Sequence, residues 1–111
     1  MILGERQEKF SRDVAALLAR SFELGFECRI GEAQRTLEQQ KIYFAAGKSK
    51  TMFSKHLDKL AIDLFFTKNG RLVEKVSALE PIGKYWETLR AGNKWGGHFA
   101  SFIDTPHFEA A

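Results

Sequence analysis

The run Leu60-Ala61-Ile62-Asp63-Leu64-Phe65-Phe66, followed by Lys68-Asn69-Gly70 and Arg71-Leu72-Val73, decides how this chain folds. Residues 61–66 are a short apolar run and read as a strand. Asn-Gly is a strong tight-hairpin signal, because the turn needs positive φ at both central residues and these two tolerate it. Residues 71–73 then form the return strand. One residue breaks the apolar run. Asp63 stands in its middle, and an unpaired carboxylate is expensive to bury. A metal ion or a cationic partner would offset that cost; a salt bridge or a solvent-facing side of the strand are the plain alternatives.

Outward from this hairpin the pattern changes period. Residues 5–24 read as a helix, with Phe10, Val14, Leu17, Leu18 and Phe22 on one buried stripe and Glu8, Lys9, Arg12 and Asp13 mostly off it. Gly25 stops that helix. Phe26–Ile30 alternates like a strand, and residues 31–35 form an irregular extension. Thr36 can cap a second helix running to Ala46, with Gly47 ending it. Residues 48–53 are polar, basic and loop-like. Residues 80–90 read as a third helix with Pro81 in its first turn, where a missing N–H is harmless. Glycines 92, 96 and 97 punctuate the stretch after that helix, and 105–109 reads as a last short strand. The mixture implies an α+β fold, a small and mainly antiparallel sheet flanked by helices, in one domain over 1–111.

Composition sets the limits of function. Hydrophobic residues make up 44% of the 111, with ten Phe and two Trp, so aromatic packing supplies much of a small core. No run of about 18 apolar residues exists, which argues against stable membrane insertion. Met1-Ile2-Leu3-Gly4-Glu5-Arg6 reaches charge too soon for a secretory signal, so synthesis in the cytoplasm is expected. The net charge of +3 and pI near 9.1 favour anionic partners. Its Lys and Arg are scattered rather than clustered with exposed aromatics, which argues against a nucleic-acid binder. The single cysteine, Cys28, forms no internal disulfide and reads as a small buried hydrophobe on its strand.

Two of the three histidines lie near carboxylates, in Ser54-Lys55-His56-Leu57-Asp58 ahead of Asp63, and in Asp104-Thr105-Pro106-His107-Phe108-Glu109. The odd offset from His56 to Asp63 would put them on opposite faces of a straight strand. They converge only if His56 sits on a loop folding back over the sheet. Pro106 argues against a helix between Asp104 and His107. A turn into a strand instead points both toward one pocket, with His107 and Glu109 on one strand face and Phe108 on the other. Catalytic zinc takes three ligands from His, Asp or Glu, and a further carboxylate accepts a proton from water. Two imidazoles and two carboxylates meet that requirement. His98, beside Gly97 and Phe99, reads as structural or surface.

The order Ser54-x-His56-x-x-x-x-Ala61-x-Asp63, then Asp104-x-x-His107, resembles the M15 family of zinc peptidases, which cut bacterial peptidoglycan peptides. Glu32-Ala33-Gln34-Arg35-Thr36, the helix with Gln39, Gln40 and Tyr43, and Trp95-Gly96-Gly97 extend the resemblance from Gly4 to Glu109. It implies the M15, hedgehog-like zinc peptidase fold, with Zn2+ held by His56, Asp63 and His107 and with Asp104 as general base. Arg35 would stabilise developing negative charge or grip substrate, and Ser54 would wall the pocket or hydrogen-bond behind the first ligand. Glu109 is left between a hydrogen-bond partner of a ligand histidine and an ordinary salt bridge, and Trp95 is a candidate for the cleft that reads more readily as core. Many members have Gly where Lys59 stands, and many carboxypeptidases have Glu where Asp104 stands, often with Trp where Pro106 stands. The Asp-x-x-His ending followed by Phe looks more like phage endolysins. The implied activity is an L-alanyl-D-glutamate endopeptidase of phage or prophage, monomeric, acting on the cell wall after release through a phage-made pore. The alternatives are a D-alanyl-D-alanine carboxypeptidase or dipeptidase of wall recycling, and a non-catalytic wall-binding module.

Overall fold

The computed structural model describes residues 1–49 and 51–111; Lys50, in the expected 48–53 loop, lies outside the described residues. The elements run α1 (Leu3–Glu23), β1 (Glu27–Ile30), α2 (Leu37–Ala45), a 3-10 turn (Lys55–Asp58), β2 (Ala61–Lys68), β3 (Arg71–Leu72), α3 (Val76–Leu89), β4 (Lys94–Trp95), a second short 3-10 turn (Gly96–His98) and β5 (His107–Glu109). This is the expected α+β arrangement. The sheet has the order β1-β2-β5-β4, with β3 also paired to β2, and every pairing is antiparallel.

The apolar run that decides the fold is the central strand. Along β2 the side chains alternate: Ile62, Leu64 and Phe66 are buried in the core, while Asp63 and Phe65 line a cleft on the opposite face. The period of two therefore sets Asp63 apart from its apolar neighbours. The hairpin forms at Asn69 and Gly70, with φ of 52° and 76°, the positive pair that Asn-Gly favours. The first half of β2 pairs with β5 and the second half with β1. Cys28 lies half-buried on β1 against the core, and burial pushes its thiol up to about 11, so it is protonated at neutral pH.

On the core face α1 and α3 cover the sheet. Trp86, Phe108, Phe66 and Phe10 meet edge to face at centroid distances of 5.6 to 6.0 Å. These are favourable aromatic geometries, each adding about 0.5–1.5 kcal/mol beyond area burial. The Trp86 indole N–H donates to the carbonyls of Lys94 and Glu109, tying α3 to the β4–β5 pair.

Two local expectations are corrected. The buried stripe of α1 runs through Phe10, Asp13, Leu17 and Ser21, while Phe22 is 51% exposed. Asp13 is buried because Arg90 Nε and Nη2 donate to its carboxylate at 2.9 and 3.0 Å, so its charge is paired. The third helix begins four residues earlier than expected, which puts Pro81 in its interior. Pro81 removes the bond to the Ser77 carbonyl. Burial of Leu79, Ile82 and Trp86 along one face holds the helix together across that gap. Elsewhere the start and stop signals act as read: Gly25 follows α1 with φ 89°, and the Thr36 hydroxyl accepts from Gln39 N–H at 3.1 Å to cap α2.

Candidate active site

A cleft of about 720 Å³ opens on the sheet face opposite α1 and α3, and β2, β5, described residues within 32–49 and 51–56, and the loop at 99–104 wall it. Cross-strand register places Asp63 directly opposite His107. His56 reaches them from the 3-10 turn at 55–58. That turn starts at Ser54, whose hydroxyl accepts from His56 N–H, and ends at Lys59 with φ 57°. Two backbone bonds fix the approach: Arg35 N–H donates to the His56 carbonyl, and Asp63 N–H donates to Glu32 O. The chain at 31–35, irregular by sequence, thus braces both sides of the site.

The donor atoms converge. His56 Nε2 lies 3.3 Å from Asp63 Oδ1, and His107 Nδ1 lies 3.8 Å from the same oxygen. One ligand atom from each of the three residues falls within 4.8 Å of the others. The far nitrogen of each ring is already occupied. His56 Nδ1–H donates to the Ala33 carbonyl at 3.3 Å, and His107 Nε2–H donates to the Glu109 carboxylate at 2.6 Å. Such bonds fix the tautomer and leave the inner nitrogen's lone pair free for a metal. His56 Nε2 is buried and makes no hydrogen bond in spite of its distance from Asp63, since the contact is poorly aligned. An unsatisfied buried nitrogen costs stability, and a cation shared with Asp63 and His107 is the partner that the donor set fits.

Charges within the cluster favour positive charge at its centre. Burial would raise the Asp63 carboxyl, but His107 and His56 outweigh it and bring it down to about 2. Burial would lower His107, but Asp63, Glu109 and Asp104 raise it to about 9 when no metal competes. Asp104 faces the same cleft from the loop before β5. Burial pushes its carboxyl up, and Asp63 adds to this against the opposing pull of His107, His56 and Arg35. Its placement depends on Gly96, whose carbonyl accepts from Asp104 N–H at 3.0 Å. A Cβ at Gly96 would sit 2.0 Å from the Asp104 carbonyl oxygen, so only glycine permits that approach.

Arg35 lies in the same cleft. Its Nε is bonded to Glu32, and Nη1 donates to Gln40 Oε1 at 2.7 Å and to Ser54 Oγ at 3.3 Å. Its guanidinium stacks over Tyr43 at 4.8 Å. Gln40, fully buried, also bonds Ser49 and the Thr51 carbonyl and so ties α2 to the following loop. Sequence alone places Gln40 on α2 and gives it no such bracing role; its only local signal is a position one turn inside a helix capped at Thr36.

Of the two readings for Trp95, cleft or core, the structure gives the core. Trp95 is completely buried, stacks on Phe108, and donates its indole N–H to the Thr105 carbonyl at 2.8 Å. Gly83 and Gly97 press on it so closely that a Cβ at either would fall 2.0 to 2.2 Å from the ring. It is a core residue beneath the 96–105 loop, not a cleft residue. His98 also lies outside the cleft, between Glu80 and Glu87 of α3.

Comparison with known proteins gives the family. A peptidase M15 family model described as D-alanyl-D-alanine carboxypeptidase matches residues 47–110, more than half of the chain, and the chain belongs to the M15 peptidase family. Among individual relatives, the L-alanyl-D-glutamate peptidase of Listeria phage A118 is 36% identical over 87 residues, which are 77% of this chain and 31% of that protein. The chain thus spans about a third of the length of this curated relative. The crystal structure of Serratia marcescens L-Ala D-Glu endopeptidase ChiX superposes with a TM-score of 0.72 at 20% identity, covering 97% of this chain and 85% of that one. That likeness establishes a shared fold.

Proposed function

We propose that this chain is a zinc-dependent peptidase that hydrolyses the L-alanyl-D-glutamate bond of bacterial peptidoglycan stem peptides. The observation carrying this reading is the meeting of His56, Asp63 and His107, each histidine already hydrogen-bonded on its far nitrogen. These three residues would hold the metal. A zinc ion there supplies Lewis acidity toward an amide carbonyl and lowers the pKa of water to about 7. Asp104 accepts the proton of the attacking water and returns it to the leaving amine. Its buried position in the cleft, which raises its carboxyl, suits a group that must both take and release a proton. Arg35, held rigid by Glu32, Gln40 and Ser54, faces the negative charge that develops on the carbonyl oxygen. Glu109 orients His107. The enzyme acts as a monomer on the cell wall, reaching it through a phage-made pore.

Purified protein loaded with zinc, mixed with peptidoglycan, tests this directly. New N-terminal D-glutamate found by mass spectrometry supports the endopeptidase. Release of D-alanine instead supports carboxypeptidase action, the reading favoured by the description of the matching family model. Absence of any new terminus would leave a non-catalytic wall-binding module. Asp104→Asn should keep the metal and lose turnover by at least about a hundredfold; turnover at the wild-type rate would remove Asp104 from the mechanism.

A further inference from the structure

Among the described residues, three basic side chains line the cleft: Arg35, Lys48 and Lys55. They are not equivalent. Arg35 is engaged by Glu32, Gln40, Ser54 and the face of Tyr43. Its charge is matched within the protein. Lys48 and Lys55 have no ion pair or side-chain hydrogen bond with any described residue. Three of the four cleft carboxylates are committed elsewhere, Glu32 to Arg35, Asp63 to the two histidines and Glu109 to His107, and the fourth, Asp104, forms no ion pair with either lysine. Lys55 is half-buried, lines the cleft and precedes His56 on the 3-10 turn, so it belongs to the same wall of the cleft as that histidine. An ammonium that lines the cleft without a carboxylate partner is left to be matched by an anion from outside.

Substrate chemistry supplies such an anion. Glutamate has two carboxyl groups and only one continues a peptide chain, so a D-glutamyl residue brings a free carboxylate to the leaving-group side of the cut. We propose that Lys55, assisted by Lys48, receives that free carboxylate and makes the enzyme prefer acidic stem peptides to those in which it is amidated. This rests on the L-alanyl-D-glutamate reading above and adds what selects the substrate. The lysines touch no reacting atom; their contribution is to binding and therefore to KM.

The test uses the full chain loaded with zinc and two synthetic peptides. One contains D-glutamate, and the other has its free carboxylate converted to an amide. Wild type should favour the acid over the amide by about tenfold in kcat/KM, the size expected of one charge-assisted contact in a partly solvated cleft. Lys55→Met combined with Lys48→Met should bring that ratio to about one through KM, while Lys55→Arg keeps most of it. The ratio is internal to each preparation, so a fraction of unfolded protein lowers both rates equally. A wild-type ratio near one, or a double variant that keeps the wild-type ratio, would overturn the inference alone. A wild-type protein inert toward both peptides would overturn the hydrolase reading and this inference together.

Discussion

The molecule holds two clusters of histidine and carboxylate, and they are built on opposite principles. In the cleft, His56 and His107 each use one ring nitrogen on an internal acceptor and turn the other toward Asp63, where His56 Nε2 is left without a hydrogen bond. On the far side of Trp95, His98 uses both ring nitrogens on carboxylates, Nδ1 on Glu87 at 2.7 Å and Nε2 on Glu80. That second cluster is a closed ion pair: the imidazole is doubly bonded as a cation, Glu80 and Glu87 raise its pKa against the effect of burial, and no lone pair remains for a metal. The comparison teaches that residue type does not identify a metal site. What identifies it is which donor atoms are left unsatisfied after the protein's own hydrogen bonds are counted.

The comparison can be broken most forcefully by removing one histidine from each cluster. His107→Ala should abolish stoichiometric metal binding and lower peptidase activity by orders of magnitude, because the three-residue donor set loses a member. His98→Ala should retain metal at the wild-type ratio. Metal analysis of the two purified proteins decides it, and normal zinc in His107→Ala would end the ligand assignment.

A smaller effect separates the two sets of glutamates. Glu109→Gln weakens the acceptor that orients His107 and should reduce metal affinity about 10–100-fold. Glu87→Gln acts on the closed cluster and should leave that affinity alone. Competition titration against a chelator gives both values, and equal affinities would show that the Glu109 contact does not tune the site.

The smallest effect is in the pH dependence of stability without metal. His107 is raised from its ordinary 6.5 to about 9, so its contribution is full below pH 6.5 and is lost as pH rises through 9. Asp63 is lowered from 3.8 to about 2, so its contribution is full above 3.8 and is lost as pH falls through 2. Both belong to one interaction, which is therefore strongest between about pH 4 and 6.5. Urea midpoints of metal-free protein should fall from pH 6 to pH 9. Bound metal reverses the trend, because it requires His107 to be deprotonated and so binds better as pH rises. A metal-free midpoint that rises over that range would mean His107 does not carry the raised pKa.

Much of the fold was legible because its signals are local. The apolar run at 61–66 and the Asn69-Gly70 turn each reflect preferences over a few residues, as does the Thr36 cap. The errors arose where a distant partner outweighed a local rule. Asp13 belongs to the buried stripe of α1 only because Arg90 comes to meet it, 77 residues along the chain. Pro81 is tolerated inside α3 because the face beside it is buried against the core. Trp95, which the sequence left between cleft and core, is no such error: it is a core residue beneath the loop it supports, because Gly83 and Gly97 open space for its ring.

By itself the sequence determined the three helices and most of the strands, though not β4 or the two 3-10 turns, together with the interruption of β2 by a carboxylate and, through resemblance, which four polar residues to watch. These are properties of neighbours along the chain, where an apolar run, a helical stripe or a turn dipeptide carries the information. Only the tertiary structure decided that Asp63 stands opposite His107 and that His56 folds over them. It also decided which ring nitrogens face inward, since acceptors at Ala33 and Glu109 hold the other two. Register across a sheet and hydrogen bonds across tens of residues depend on how separate segments pack, and no local pattern encodes them.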